Sequence, residues 1–236
     1  MGVYSLVAEQ EDTKGKAILV AADLVVLADG QTLTPDAISV AGQDDKDVKH
    51  SAKRGAWIAY QELKKKGVVH PRSIIAHSGV TFDFAGGTVS QVSGPSAGLC
   101  FLTKMAQEII EESLRFTGRQ VPSLHFAATG ILHAISGDEK VIGVKAIKAK
   151  VEAALAGLEK GGIVFYPRAN DPLNPALSQE AKQKQIVLVA IDTPRQALEV
   201  ILEQYGFGDG EPAPKSSWLK YLLLICLGVV TLGWIG

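Results

Sequence analysis

The chain has 236 residues, with 24 basic against 25 acidic side chains and a formal net charge of -1. A hydrophobic fraction of 47% with 21% charged residues excludes wholesale disorder, and the even balance lacks the basic excess of a nucleic-acid binder. Two cysteines, Cys100 and Cys226, cannot by themselves build a disulfide framework or a zinc cluster.

Residues 1–15 read as an N-terminal extension that carries acids early and has no basic region leading into an apolar run, so it is not a secretory signal. Ala17 to Val26 is apolar and β-branched, which predicts one or two buried strands. Asp47 to Lys66 has Val48, Ala52, Ala56, Ala59 and Leu63 at helical spacing and ends in three lysines before Gly67, a solvated helix end rather than an anion site. Ser73 to Phe84 predicts strand structure, broken at Gly86-Gly87. A second helix is expected over Pro95 to Leu114, with Leu99, Leu102, Met105, Ala106, Ile109 and Ile110 on one side. Leu124 to Thr129 follows as a strand, then Val141 to Val144 as a further one, and Lys145 to Leu158 as a third helix. Ile163 to Tyr166 and Ile186 to Ile191 predict short strands, and Pro194 to Gln204 a last helix. Strands and helices mix without a regular βαβ period, which favours an α+β class.

Residues 206–217 (GFGDGEPAPKSS) have the composition of a flexible linker. Trp218 to Gly236 then holds 19 residues with one charge, Lys220, enough for about 28 Å of helix at roughly 1.5 Å per residue. Trp218, Tyr221 and Trp234 sit near its two ends, where interfacial aromatics belong. The expectation is a single-pass C-terminal membrane anchor, and Lys215 and Lys220 ahead of it place the folded part on the cytoplasmic side.

The sharpest local feature is Ser93-Gly94-Pro95-Ser96-Ala97-Gly98. Pro at the first helical position puts Ser96 in the first turn of a helix, where unpaired N–H groups and the positive dipole end suit an oxyanion beside a serine nucleophile. A plain N-cap serine explains the hexapeptide equally well. G-x-S-x-G also fits a nucleophile elbow, but every aspartate after Ser96 lies beyond both later histidines, His125 and His133, so a Ser-Asp-His triad does not assemble from this order. His50, His70 and His77 lack metal-ligand spacing, and no metal or other cofactor is called for. A buried lysine can replace histidine as the base. On the third helix the apolar stripe of Val144, Ile147, Val151, Ala154, Leu155 and Leu158 leaves Lys148 about 70° from its centre, Lys150 about 90° and Lys145 about 130°. Lys148 is therefore the best placed of the three, by a small margin, and solvation of all three is the plain alternative.

GPSAG at Gly94 to Gly98, with an AIKAK helix about fifty residues later, resembles the proteolytic domain of the Lon-type serine–lysine proteases. AGQDDKDVKHSAKRGAWIAY, FTGRQVPSLHFAATG, VIGVKAIKAKVEAALAGLEKGGIVFYPRAND and VLVAIDTPRQALEVILE are similar to successive segments of that family, in one order, over roughly residues 15 to 205. The resemblance implies an α+β domain of the Lon proteolytic type (ribosomal protein S5 domain 2-like) over 16–205. It implies a serine endopeptidase with Ser96 as nucleophile and Lys148 as general base, supported by Thr129, Gly94 and Ala97. It further implies peptide or unfolded-protein substrates and a homo-oligomer, a hexamer in that family. Ser93 and Ile131 stand where the family usually has acids, and Phe82 and Phe84 lie near its strand histidines, so a catalytically weak or inactive scaffold at the membrane is the second reading. The galactokinase-type kinases share the fold and bind phosphate at such a helix start, but that reading leaves Lys148 without a purpose. No G-x-x-x-x-G-K-[S/T] occurs, so the chain carries no ATP site of that kind and a separate ATPase is a possible partner.

Overall fold

The computed structural model describes residues 2–8, 14–28, 31–85, 92–133 and 136–207. Seven strands, β1 (Gly2–Ala8), β2 (Gly15–Val26), β3 (Ile38–Val40), β4 (Ser78–Ala85), β5 (His125–Ala128), β6 (Ile163–Pro167) and β7 (Val187–Ile191), form one sheet in the order β3-β4-β2-β1-β5-β6-β7. Only β2 runs against its neighbours; the other pairings are parallel. Among the described residues, five helices accompany it: α1 (Lys46–Lys65), α2 (Gly98–Phe116), α3 (Ile147–Gly157), α4 (Pro175–Lys184) and α5 (Pro194–Gln204). The class is α+β with a mixed sheet.

Strand alternation divides the core in two. Val3, Phe126, Ile163 and Phe165 face one way, into a cluster shared with α1, α2 and α5. Leu6, Ala127 and Val164 face the other way, against Val151, Ala154 and Leu155 of α3 and Leu177 and Ala181 of α4. The helical stripes behave as their spacing predicts: Val48, Ala52, Ala56, Ala59 and Leu63 are fully buried, as is the α2 stripe from Leu99 to Ile110. Such burial is worth about 1.5–3 kcal/mol for each large apolar side chain. Cys100 lies inside α2, and burial pushes its thiol up to about 12, so it stays protonated and unreactive.

Several expectations need correction. Gly2–Ala8, placed in an N-terminal extension, is a central strand between β2 and β5. From Val3 to Val7 its side chains are buried or half-buried on both faces, so it lacks the apolar–polar alternation that marks a half-buried strand. The strand expected from Ser73 starts only at Ser78, after a 3₁₀ turn at Ile75–His77. Val141 to Val144 makes no strand, only a single antiparallel bridge between Ile142 and Ile131. Helix α4 is one the periodicity does not announce; it buries just Leu177 and Ala181, and its signal is the Asn174 cap with Pro175 at the first helical position. The linker beyond Phe207 and the anchor over 218–236 lie outside the described residues. Among the described residues, no helix is long and apolar enough to cross a membrane.

One buried carboxylate joins three parts of the chain. Glu62 of α1 accepts from Lys65 Nζ at 2.6 Å and from Arg195 Nη2 at 3.1 Å, and Arg195 in turn reaches Asp138. Burial pushes the Glu62 carboxyl up, but the hydrogen bonds and charges of Lys65 and Arg195 outweigh it and hold the group below the usual carboxylate range. A depressed folded value contributes stability above the unfolded value, about 4.3, that is lost as pH falls through the folded one. Glu62→Gln is therefore expected to lower stability by about 1–2 kcal/mol at pH 7. In urea melts the gap to the parent protein should close below about pH 4; a gap that is constant with pH would show that the charge contributes nothing.

Candidate active site

The site forms where the start of α2, the end of β5 and the first turn of α3 meet. Gly94 adopts φ 83° and ψ 168°, backbone that a side chain rarely allows. It turns the chain into a 3₁₀ turn at Pro95–Ala97, which runs straight into α2. Pro95 loses nothing by lacking an N–H there, since the first helical N–H groups have no intrahelical acceptor. Ser96 sits half-buried in that turn, Ala97 is buried beneath it, and Ser93 is exposed.

The turn is held from two sides. Ser51 Oγ of α1 donates to Pro95 O at 3.1 Å. Beyond β5, Gly130 N donates to Ser96 O at 2.8 Å, Thr129 Oγ1 donates to the same carbonyl at 3.3 Å, and Leu99 N donates to Gly130 O at 3.2 Å. Arg54 of α1 donates to Leu132 O at 3.1 Å and so ties the segment that follows Gly130. These bonds fix the serine backbone and leave its hydroxyl for another partner.

That partner is Lys150. Its Nζ lies 3.1 Å from Ser96 Oγ and 3.4 Å from Thr129 Oγ1, and the residue is only 5% exposed. Lys148 does not reach the site: its side chain is 66% exposed and lies 3.8 Å from Glu152. Lys145 is exposed as well. The choice of Lys148 as base is corrected to Lys150 as the lysine that meets Ser96. Helix α3 begins at Ile147, after Ala146 in a left-handed conformation, so Val144 does not share its wheel. Without Val144, Lys148 and Lys150 flank the stripe at about 80° on opposite sides. Which flank faces Ser96 and which faces water is then decided by the packing of α3 on β1 and β2.

The other expected residues fall as follows. Gly94, Ala97 and Thr129 all lie at the site, and Thr129 touches the lysine through its hydroxyl. Ile131 is half-buried in the bridge to Ile142, while Phe82 and Phe84 pack on Phe101 in the core. His70 stacks on Phe116, His77 pairs with Pro71 O, and His125 lies 3.6 Å from Glu159.

No protein-family model matches the chain, and no curated protein matches it significantly.

Sequence reasoning missed Ser51 and Arg54, which act through backbone carbonyls, and it ranked Lys150 behind Lys148 because the wheel set it about 20° farther from the stripe. Chemically, the arrangement offers a hydroxyl, an amine within hydrogen-bond reach of it, a second hydroxyl that orients the amine, and a helix start beside the hydroxyl. That set suits nucleophilic acyl transfer.

Proposed function

We propose that the chain is a serine endopeptidase in which Ser96 is the nucleophile and Lys150 the general base. The observation that carries this reading is the 3.1 Å approach of the buried Lys150 Nζ to Ser96 Oγ. A lysine serves as base only as the neutral amine, and removal from water is what favours a neutral amine in a protein. In that form Nζ accepts the Ser96 proton while Oγ attacks the scissile carbonyl. The tetrahedral oxyanion develops beside the N–H groups of the first helical turn. Collapse expels the amine product, which takes the proton back from the Lys150 ammonium and leaves an acyl-Ser96 ester. Water, deprotonated by the neutral Lys150, then attacks the ester, and Ser96 leaves with the returned proton. Thr129 accepts from Nζ throughout and keeps it aimed at Ser96.

The likeness to Lon-type proteolytic domains supports peptides or unfolded proteins as substrates and a ring of copies as the assembly. These 236 residues hold no ATP-binding motif of the G-x-x-x-x-G-K-[S/T] kind, which fits a separate ATPase as the partner that feeds the site. The apolar stretch from Trp218 to Gly236 supports attachment to a membrane by one C-terminal span, with the folded part facing the cytoplasm.

The test is a fluorophosphonate probe on the purified protein, followed by mass spectrometry of the labelled peptide. Ser96 is expected to carry the label, and Ser96→Ala to lose both label and peptide cleavage. The substituted turn keeps the backbone bonds from Gly130 and Ser51, so the variant should stay folded. A label elsewhere, or cleavage that survives in Ser96→Ala, would remove the serine from the reaction.

A further inference from the structure

The lysine helix starts badly by its own means. Helix α3 has no side-chain cap at its N-terminus, and its N-cap residue, Ala146, is left-handed at φ 52°, a conformation disfavoured for any residue with a Cβ. Lys150 stands in the first turn and its N–H bonds to Ala146 O, so any shift of that irregular start passes directly to Nζ. Something outside the helix holds it. Asn170, in the 3₁₀ turn Arg168–Asn170 after β6, accepts from Val144 N through Oδ1 at 2.9 Å and donates to Val144 O through Nδ2 at 2.9 Å. One planar amide thus satisfies both backbone groups of the residue two places before the helix cap. The clamp is tight: a Cβ on Gly143 would come within 3.3 Å of Asn170 Oδ1. The turn that carries Asn170 is itself fixed, since Arg168 Nε donates to Asp192 Oδ2 at 2.7 Å and Tyr166 OH donates to Asp171 Oδ1 at 2.9 Å.

We infer that Asn170 is a positioning residue for the reaction: its two-point bond to Val144 sets the start of α3 and thereby the distance from Lys150 Nζ to Ser96 Oγ. The inference rests on the Ser96–Lys150 reading and goes beyond it, because Asn170 touches neither side chain. A misplacement of the base by about 1 Å is enough to lower turnover by about 100-fold.

The experiment compares the full chain with Asn170→Ala and Asn170→Asp, reading kcat, KM and the pH dependence of kcat on a fluorogenic peptide, with melting curves alongside. Asn170→Asp keeps an acceptor for Val144 N and loses the donor to Val144 O. The expected result is a kcat lowered by about 100-fold in Asn170→Ala with KM within about twofold, and an intermediate value for Asn170→Asp. The midpoint of the rising pH limb should also move, which a merely structural role would not cause. A kcat within about twofold of the parent, or a loss that only follows the unfolded fraction with the limb unmoved, overturns the inference. If Asn170→Ala does not fold, Asn170→Asp is judged by the same two criteria. A parent protein that neither cleaves nor labels at Ser96 sinks the peptidase reading instead. In that case the ¹³Cε signal of Lys150 in lysine-labelled protein, assigned with Lys150→Arg, decides the clamp alone. A titration midpoint displaced by the Asn170 substitution upholds it, and an unmoved midpoint rejects it.

Discussion

Lys150→Arg is expected to abolish peptide cleavage, with a loss of about 10⁴-fold or more, while Lys148→Ala leaves it within about twofold. The guanidinium keeps its proton at any usable pH, so it cannot accept one from Ser96 even though it preserves charge and much of the volume. Lys150→Met removes the amine while keeping an unbranched apolar chain in the buried slot, and should be as inactive as the arginine variant. Lys148 has only an exposed carboxylate 3.8 Å away, a pair worth a few tenths of a kcal/mol at most. Initial rates on one fluorogenic peptide, with circular dichroism to confirm folding, separate the two lysines. Cleavage retained by folded Lys150→Met, or a larger loss in Lys148→Ala, would mean that the 3.1 Å approach is a structural contact and the base lies elsewhere.

Gly55→Ala should be the most damaging small substitution in the helical layer. The added Cβ would fall 2.3 Å from Gly98 O and 2.8 Å from Leu102 N, both backbone atoms that cannot rotate away. Helices α1 and α2 must then separate, at a cost of about 3 kcal/mol for overpacking a contact this close. For a domain of this size that corresponds to a fall of roughly 6–12 °C in Tm. Because α2 opens directly from the turn that holds Ser96, cleavage should fall along with stability. Gly157→Ala is the control: its Cβ would meet only Ala17 Cβ at 3.5 Å, an ordinary contact, so the Tm should stay level or rise. Equal melting temperatures for Gly55→Ala and Gly157→Ala would show that the α1–α2 contact has room to relax.

The sequence alone determined a good deal about this protein, and the reasons are local. Helices α1 and α2 each carry an apolar stripe long enough to state both the helix and its buried face, and β6 and β7 are short apolar runs bounded by Gly, Pro or charge. Strand β2 was legible as a strand but not as a buried one, since only Ile18 and Val20 of it are buried while Val25 and Val26 are exposed. Ser96 was legible because Gly94 and Pro95 act within a few residues of it, one through its positive φ and the other by starting the turn. Thr129 was legible only through the order of family-like segments, and the structure puts its hydroxyl on Lys150. The tertiary structure decided the rest. Strand β1 shows no alternation because both its faces are covered, and α4 shows almost no stripe because two residues hold it. Lys148 and Lys150 flank one stripe almost symmetrically, and a helix wheel has no knowledge of what stands on either side. The packing of α3 across β1 and β2 turns one flank to Ser96 and the other to water, and Asn170, twenty residues beyond Lys150 in the chain, holds the start of that helix. Periodicity fixes a residue's angle about its own axis; only the neighbours that the fold brings up decide what lies at that angle.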